Sequence, residues 1–398
     1  DMGILPEQLI ITNPTLPIKK KYKDYYFSNG TVTGAPPLYG GYEYTQEEMN
    51  KRSNEKLRIK NTESQLVLPK LFIDAGWTAT MTDPVWTNYR WSGDLSGYAR
   101  LPKLSVSEQE GRNYERFISE KGLLDYNDAD LICKKQIVNF SFLQVLFPNF
   151  RTGFYKELRS IPKRKGISDG ARSWIWKFSH LYYLPQLTDF ECESEKGAFI
   201  SLHSLAAHDV YTPAADFETP SSENLADWTE MHHLANIASF KQFGKFFDYL
   251  KQNNCYDNTR IIIVSDHGCV GSKEKELERF ANGNFASGYS AMLLYKDFDS
   301  IGSIKVDEKF MTNADTLFLA KVGLELSDTN PYTEQRFIPK KENGVTVYHC
   351  VDWNAGNFID ENQFELDKDK AWHVQDNIYD EKNWIPLKEW KKQNGGEE

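Results

Sequence analysis

The sequence predicts an α/β fold, a mostly parallel central sheet sandwiched by helices. Three segments carry that expectation. Arg260-Ile261-Ile262-Ile263-Val264-Ser265 is a β-branched run of the kind that forms a buried strand. Ahead of it, Asn224–Asn253 reads as a long helix, amphipathic in its later part at Ile237, Phe240, Phe243, Phe247 and Leu250. Ala198–Leu202 is a further short apolar strand, and strands alternating with long helices build parallel sheets.

The remaining elements follow in chain order. Residues 1–60 are rich in Pro, Gly, Tyr and Thr and read as loops with short helices. Within them Asn29–Pro37 is a turn-dense stretch with two hydroxyls, and Gly40-Gly41 permits a tight bend. Thr45–Lys56 opens like a capped helix. Leu66–Ala75 reads as a helix ending at Gly76, with a strand at Trp77–Met81. Helical patterning covers residues 110–165, with an apolar run from Ile137 to Phe147, and Lys163-Arg164-Lys165 reads as a solvated loop. The polar tail Asn383–Glu398 is expected to fray.

At 398 residues the chain suits one large α/β domain or two ordinary ones. With 40% apolar and 14% aromatic residues it is not a disordered chain. Its 47 Lys and Arg against 57 Asp and Glu give a net charge of −10, without the basic excess of a nucleic-acid binder, so no nucleic-acid partner is expected. A local cationic pocket for phosphate is compatible with that balance. Cys133, Cys192, Cys255, Cys269 and Cys350 are scattered and form no CxxC pair, which argues against a zinc ribbon, a redox motif or a disulfide framework. No apolar run of about 18 residues and no signal pattern occurs, so the chain as given reads as soluble. Asp1 is not an initiator methionine, and a signal peptide, membrane region or tag is expected to have preceded it.

Chemistry concentrates at Ile261–Gly268. Ligands of open α/β sheets bind beyond the carboxyl ends of strands. Asp266 and His267 stand at that point, and Gly268 lets the chain turn away without a side chain in the site. A carboxylate beside an imidazole suits Zn²⁺ or Mn²⁺, although the residue types alone fit a plain loop start equally well. His203 and His208 lie just beyond the Ala198–Leu202 strand. His232-His233 are neighbours on a helix, so their side chains point apart.

Val264-Ser265-Asp266-His267-Gly268 after an isoleucine strand resembles the metal-binding motif of the sulfatase and alkaline-phosphatase superfamily. Tyr26–Asn50, with Thr31 ahead of Pro36-Pro37-Leu38-Tyr39-Gly40-Gly41, resembles the nucleophile loop of its lipoteichoic-acid-synthase-like branch. Tyr256-Asp257-Asn258-Thr259, Met311–Thr316 with Asn330-Pro331, and Asp376-Asn377-Ile378 with Asn383-Trp384 are similar to that branch too. The likeness implies a sulfatase-like catalytic domain over residues 1–320. It also implies a smaller C-terminal α+β portion, residues 321–398, packed on the same domain.

In such enzymes a threonine is both metal ligand and nucleophile. The resemblance gives that role to Thr31, with Thr33 as the alternative. Metal ligands would be Asp1, Thr31, Asp266 and His267, holding one divalent ion, Mn²⁺ or Zn²⁺, with Mg²⁺ also acceptable. The apolar strand that should precede Asp1 is absent from the chain, which leaves Glu7 and Glu43 as substitutes. His208 would contact the phosphate or protonate the leaving group, with His203 as its rival. Trp86, Asn88 and Arg90 resemble a Trp-Asn-Arg segment lining the head-group pocket, where an arginine forks onto phosphate oxygens.

The function so implied is an extracytoplasmic phosphotransferase on the outer face of a bacterial membrane, anchored through segments outside this chain. It would move phosphoglycerol or phosphoethanolamine from a phospholipid, through phospho-threonine, to an envelope glycan or lipid. Two other functions fit the same residues: a phosphodiesterase or sulfatase-like hydrolase, and an inactive interaction domain. No Cys precedes Cys133 and no Cys or Ser is followed by Pro-Ser-Arg, which disfavours a sulfatase.

Overall fold

The computed structural model describes residues 30–89, 94–123, 167–190, 194–208, 210–225, 227–268, 286–307, 309–339, 343–348 and 354–395, with a strand at 23–25 and single positions at 137, 138, 141, 143 and 151. The fold is α/β. Its contacts divide it into two units. The first gathers residues 1–109, 184–204 and 240–398, and the second residues 110–183 and 205–239.

In the first unit, β1 (Lys23–Tyr25) precedes α1 (Thr31–Gly40), so the turn-dense stretch expected around Thr31 is a helix. The misleading residues are Pro36 and Pro37, which lack the N–H groups that should bond to Val32 and Thr33. The carbonyl of Val32 instead receives the Tyr89 hydroxyl at 3.5 Å, a tertiary partner that helps the helix continue. α2 (Gln46–Lys51) follows, without the side-chain cap expected of Thr45, whose hydroxyl donates back to the Tyr42 carbonyl at 3.0 Å.

α3 (Leu57–Asp74) starts well before the expected Leu66, because its first half is buried although polar. Lys60, fully buried, donates to the carbonyls of Met49 (2.6 Å), Arg52 (3.2 Å) and Asn362 (2.7 Å). Glu63 accepts from Arg52 at 2.5 and 3.0 Å and from the Tyr44 hydroxyl at 2.7 Å. Tyr98 donates to Gln65, whose amide donates to the Val85 carbonyl at 2.7 Å. Apolar periodicity is blind to a helix buried through hydrogen bonds.

β2 (Thr78–Thr82) alternates, burying Ala79 and Met81. It is the middle strand of a parallel sheet between β3 (Leu104–Ser107) and β4 (Ala198–Leu202). Thr82 pairs with Leu202, so β2 and β4 end level and the next residues, Asp83 and His203, follow side by side. β5 (Ile261–Val264) is half-buried rather than fully covered and pairs antiparallel with β6 (Leu293–Lys296), a departure from the parallel expectation. Ile262 nevertheless packs against the main apolar cluster formed by Val32, Val67, Leu71 and Leu317. β7 (Phe310–Thr312) pairs parallel with β1.

The C-terminal α+β portion is an antiparallel sheet of β8 (Val345–Tyr348), β9 (Ala371–Val374) and β10 (Trp384–Pro386). α7 (Thr316–Lys321), further back in the chain, and α8 (Leu387–Gln393) are helices of the same unit, the second unit's being numbered α4–α6 below. The tail expected to fray is therefore ordered as far as residue 395. Trp384 and Leu387 are two buried apolar anchors in an otherwise polar run, and the Trp384 indole donates to the Ile378 carbonyl at 2.7 Å.

The second unit contains α4 (Tyr114–Glu120) and α5 (Asp169–Tyr182), whose Ser168 cap accepts from the Ala171 amide at 3.1 Å. α6 (Trp228–Gln252) begins in the second unit and ends in the first, four residues later than the expected Asn224. Lys163–Lys165 and most of Ile137–Phe147 lie outside the described residues.

Glu43, between α1 and α2, yields a test of this packing. One oxygen accepts from the Ile338 amide at 3.2 Å, and the other is buried without a partner among the described residues. Burial pushes its carboxyl up to about 7 from about 4.5, against the pull of its own and the Ile338 amide. The folded state thus holds this proton more tightly than the unfolded chain does. The resulting stability is complete below about pH 4.5 and is lost as pH rises through about 7. Glu43→Gln should flatten that loss, so that the melting temperature of the variant exceeds that of wild type at pH 8 and not at pH 5, as measured by paired thermal melts.

Candidate active site

Gly30, in extended conformation, leads into α1, so Thr31 is its first helical residue. The first amides of a helix have no intrahelical acceptor, and with the helix dipole they favour a negative group at this end. The helix is set down directly on the end of β5. A Cβ on Gly34 would lie 2.2 Å from the Asp266 carbonyl oxygen, so only glycine allows this approach. From the other side, Asn313, buried just past β7, donates its amide to the Gly34 carbonyl at 2.5 Å. Asn313 sits in a turn closed by Asp315, which accepts from the Thr312 amide at 2.7 Å and from the Tyr42 hydroxyl at 3.1 Å.

This packing separates the two candidate hydroxyls. Thr31 is half-buried, and its hydroxyl is among the groups near Asp266 that hold that carboxyl down. Thr33 is 1% exposed, and its hydroxyl donates to the Gly30 carbonyl at 3.3 Å. One faces the strand end, and the other is tied into its own helix turn.

Beyond β5, Ser265 is pinned to Met292 by two hydrogen bonds of 3.0 Å, one through its amide and one through its hydroxyl. Asp266 then accepts the His267 amide at 3.1 Å. The His267 Nδ1 lies 2.7 Å from the Gly268 carbonyl. A carbonyl only accepts, so Nδ1 carries a proton, and Nε2 is the ring atom that can offer a lone pair to a metal. That Nε2 stands 3.8 Å from Asp266 Oδ2. Gly268 lies under the Ser287–Ser290 turn, where a Cβ would be 1.9 Å from the Ser287 carbonyl oxygen.

Burial alone would raise the Asp266 carboxyl, but the His267 ring, the Thr31 hydrogen bond and the charge of His203 outweigh it and hold the group below the usual carboxylate range. His203 is held at the end of β4 by its amide, which donates to the Thr82 carbonyl at 3.0 Å. Tyr39, on α1, hydrogen-bonds Ser201 at 2.8 Å, and burial raises its phenol. Neither Tyr39 nor Asn313 was assigned a role from sequence. Both lie in stretches that resemble the family, but only the fold reveals what they hold.

The structure thus brings Thr31, Asp266, His267 and His203 into one neighbourhood of the first unit. Asn88 is committed elsewhere: its Oδ1 accepts the Thr62 hydroxyl at 3.1 Å and its Nδ2 donates to Asp94 at 3.2 Å. Trp86 packs against the main apolar cluster. Both belong to a loop after β2 in which Asp83, Trp86, Asn88 and Tyr89 all take left-handed backbone angles, φ 43–56°, a concentration of strain found at functional loops. His208 belongs to the second unit and is exposed. There His232 has its charged form disfavoured, burial and His208 together lowering it to about 4. Asp1, Glu7 and Arg90 lie outside the described residues, and Glu43 is engaged with Ile338 as described.

The donor set suits a divalent ion. With metal–ligand bonds of about 2.1 Å, two ligands of a tetrahedron lie roughly 3.4 Å apart, near the separation of Asp266 Oδ2 and His267 Nε2. The Nδ1–H···O=C bond of His267 is the orientation that metal-ligating histidines use. Among the described residues no group of three or more His, Cys, Asp and Glu converges.

The sulfatase family profile matches residues 21–290, more than half the chain. The chain belongs to the sulfatase family. The family is one of enzymes, typically dependent on divalent metals. No curated protein matches the sequence. Three solved structures are similar in shape. The lipoteichoic acid synthase LtaP from Listeria monocytogenes is 10% identical, with a TM-score of 0.39 over 83% of this chain and 69% of LtaP. An alkaline phosphatase superfamily protein from Vibrio parahaemolyticus is 14% identical, with a TM-score of 0.36 over 83% of this chain and 65% of that one. Phosphonate monoester hydrolase from Silicibacter pomeroyi is 12% identical, with a TM-score of 0.40 over 95% and 81%.

In this sulfatase-family chain the Gly34–Asp266 contact should tolerate no side chain. Gly34→Ala is expected to cost about 1–3 kcal/mol, the range for an overpacked site, read by denaturant unfolding. Gly30→Ala, with nothing within 4 Å of the new Cβ, should cost less than half of that.

Proposed function

We propose that this chain is the extracytoplasmic catalytic domain of a membrane-anchored, metal-dependent phosphotransferase of the lipoteichoic-acid-synthase-like branch. The observation that carries the reading is the placing of Thr31 at the start of a helix seated on Asp266, beside His267. The sequence likeness of Tyr26–Asn50 and Met311–Thr316 to that branch supports the choice of branch. Among the described residues no helix is long and apolar enough to cross a membrane, so the anchor belongs to segments outside them.

Asp266 Oδ2, His267 Nε2 and Thr31 Oγ would hold one Mn²⁺ or Zn²⁺, with Asp1 as the fourth ligand on the strength of the sequence. When bound, such an ion lowers the hydroxyl pKa and offsets phosphoryl charge. The protein supplies the rest. The first amides of α1 draw the phosphate of a phospholipid head group to the Thr31 oxygen. That oxygen gives up its proton to solvent and forms a bond to phosphorus as the bond to the diacylglycerol oxygen breaks. The leaving oxygen takes a proton from a histidine. His203, near Asp266, is the substrate-side histidine of the first unit. The phospho-threonine then passes phosphoglycerol or phosphoethanolamine to a hydroxyl of an envelope glycan or lipid. The acceptor hydroxyl loses its proton, and the Thr31 oxygen regains one.

Metal binding and turnover test this together. Saturating Mn²⁺ or Zn²⁺, at about a hundred times Kd, should stabilise the wild type by about 2.7 kcal/mol, and Asp266→Asn and His267→Ala should lose most of that gain. Turnover of phosphatidylglycerol or phosphatidylethanolamine vesicles should fall at least about a hundredfold in both. Thr33→Ala should stay active. Wild-type turnover in Asp266→Asn would remove the site assignment. Free phosphoglycerol or phosphoethanolamine as sole product would make the enzyme a hydrolase. No metal gain and no turnover in wild type would leave an inactive interaction domain.

A further inference from the structure

In the second unit α5 buries one face, on which Trp174, Ile175, Phe178 and Leu181 are within 1% of full burial. Between Ala171 and Tyr183 one residue is exposed, and it is Trp176, at 49%. An amphipathic helix gives its outward position to a polar side chain, so a lone outward indole there requires a reason.

The ring is held rather than dangling. The Trp176 carbonyl accepts the Gly111 amide at 3.0 Å, and the Tyr114 amide closes the turn onto the Gly111 carbonyl at 3.1 Å. Gly111 has φ +75°, and a Cβ there would lie 2.0 Å from the indole ring, so the indole rests on bare backbone. The Tyr114 ring stands 5.9 Å away at 44°. An aromatic plate is thus backed by a glycine turn, with about half its surface left to water. Fixing the plate in advance lowers the entropy cost of stacking a ligand on it.

We propose that Trp176 on its Gly111–Tyr114 support is a stacking platform for a sugar ring, a carbohydrate site separate from the Asp266 centre. A pyranose offers a C–H face to the π-system and hydroxyls at its rim. The supporting turn carries the exposed Arg112, a donor for such hydroxyls. One indole face is far below the roughly 800 Å² per partner of a stable protein interface, and its helix neighbours are buried rather than part of a wider apolar patch. A bilayer contact would gather several exposed apolar residues, whereas between Ala171 and Tyr183 Trp176 alone is exposed. The proposed phosphotransfer gives the site a purpose, holding a glycan acceptor, but sugar binding is independent of that chemistry.

The test uses the full chain with maltohexaose, cellohexaose and chitohexaose, followed by saturation-transfer NMR and indole fluorescence. At least one sugar should bind saturably. Trp176→Ala should weaken it about tenfold, whereas Trp176→Phe and Trp228→Ala, the latter removing a second half-exposed indole, should stay within about threefold. Binding should persist in Asp266→Asn, so loss of the proposed chemistry and loss of the sugar site are read separately. The proposal is overturned if none of the three sugars binds, if Trp176→Ala binds like wild type, or if Trp176 fluorescence responds to phosphatidylglycerol vesicles and to no sugar.

Discussion

The contact on which the site depends is backbone against backbone: α1 at Gly34 lying on the carbonyl of Asp266. No side-chain attraction draws these two together. The absence of a Cβ permits the approach, and the Asn313 amide on the Gly34 carbonyl fixes it. Because the contact is rigid, Thr31, one turn back along the helix, is carried to the Asp266 carboxylate. The same rigidity leaves Thr33 facing its own turn. Packing thereby puts two chemically identical hydroxyls, two residues apart on one helix, in different surroundings.

Around that contact the first unit spends much of its buried volume on polar groups. The buried half of α3 ties α2, the Arg52 turn, the loop after β2 and residues near Asn362 into one network. Burial takes the Lys60 amine down to about 8, while three carbonyls satisfy it. Such a network is costly unless every member is paired, and when paired it admits few alternatives. Apolar packing would tolerate small slips of α1 against β5 that a hydrogen-bonded frame does not. A site whose donors must stand within a few ångströms of each other needs that exactness of position.

Much of this was legible in the residues, and the failures have physical causes. The strand end at Asp266-His267-Gly268 was plain, because a β-branched run stopping at a carboxylate and a glycine has few other meanings. Ala198–Leu202 emerged with the expected limits. Helix α1 was hidden by two prolines, one of whose two lost hydrogen bonds is replaced by a tyrosine more than fifty residues away. The early start of α3 was hidden because its burial is polar, and the ordered tail because two apolar residues sufficed to anchor it. Asn88 resembled a pocket residue in sequence yet holds its own loop together. Trp176 carried no sequence signal at all, since an aromatic in a helix reads as core until its exposure is known.

The central claim is that Thr31 is the covalent carrier. The most direct measurement is intact mass, followed by peptide mapping, on protein incubated with Mn²⁺ and mixed anionic and zwitterionic phospholipids. The account predicts a phosphoglycerol or phosphoethanolamine adduct on the peptide that contains Thr31, present in Thr33→Ala and missing from Thr31→Ala. An adduct that survives Thr31→Ala and disappears in Thr33→Ala would contradict it.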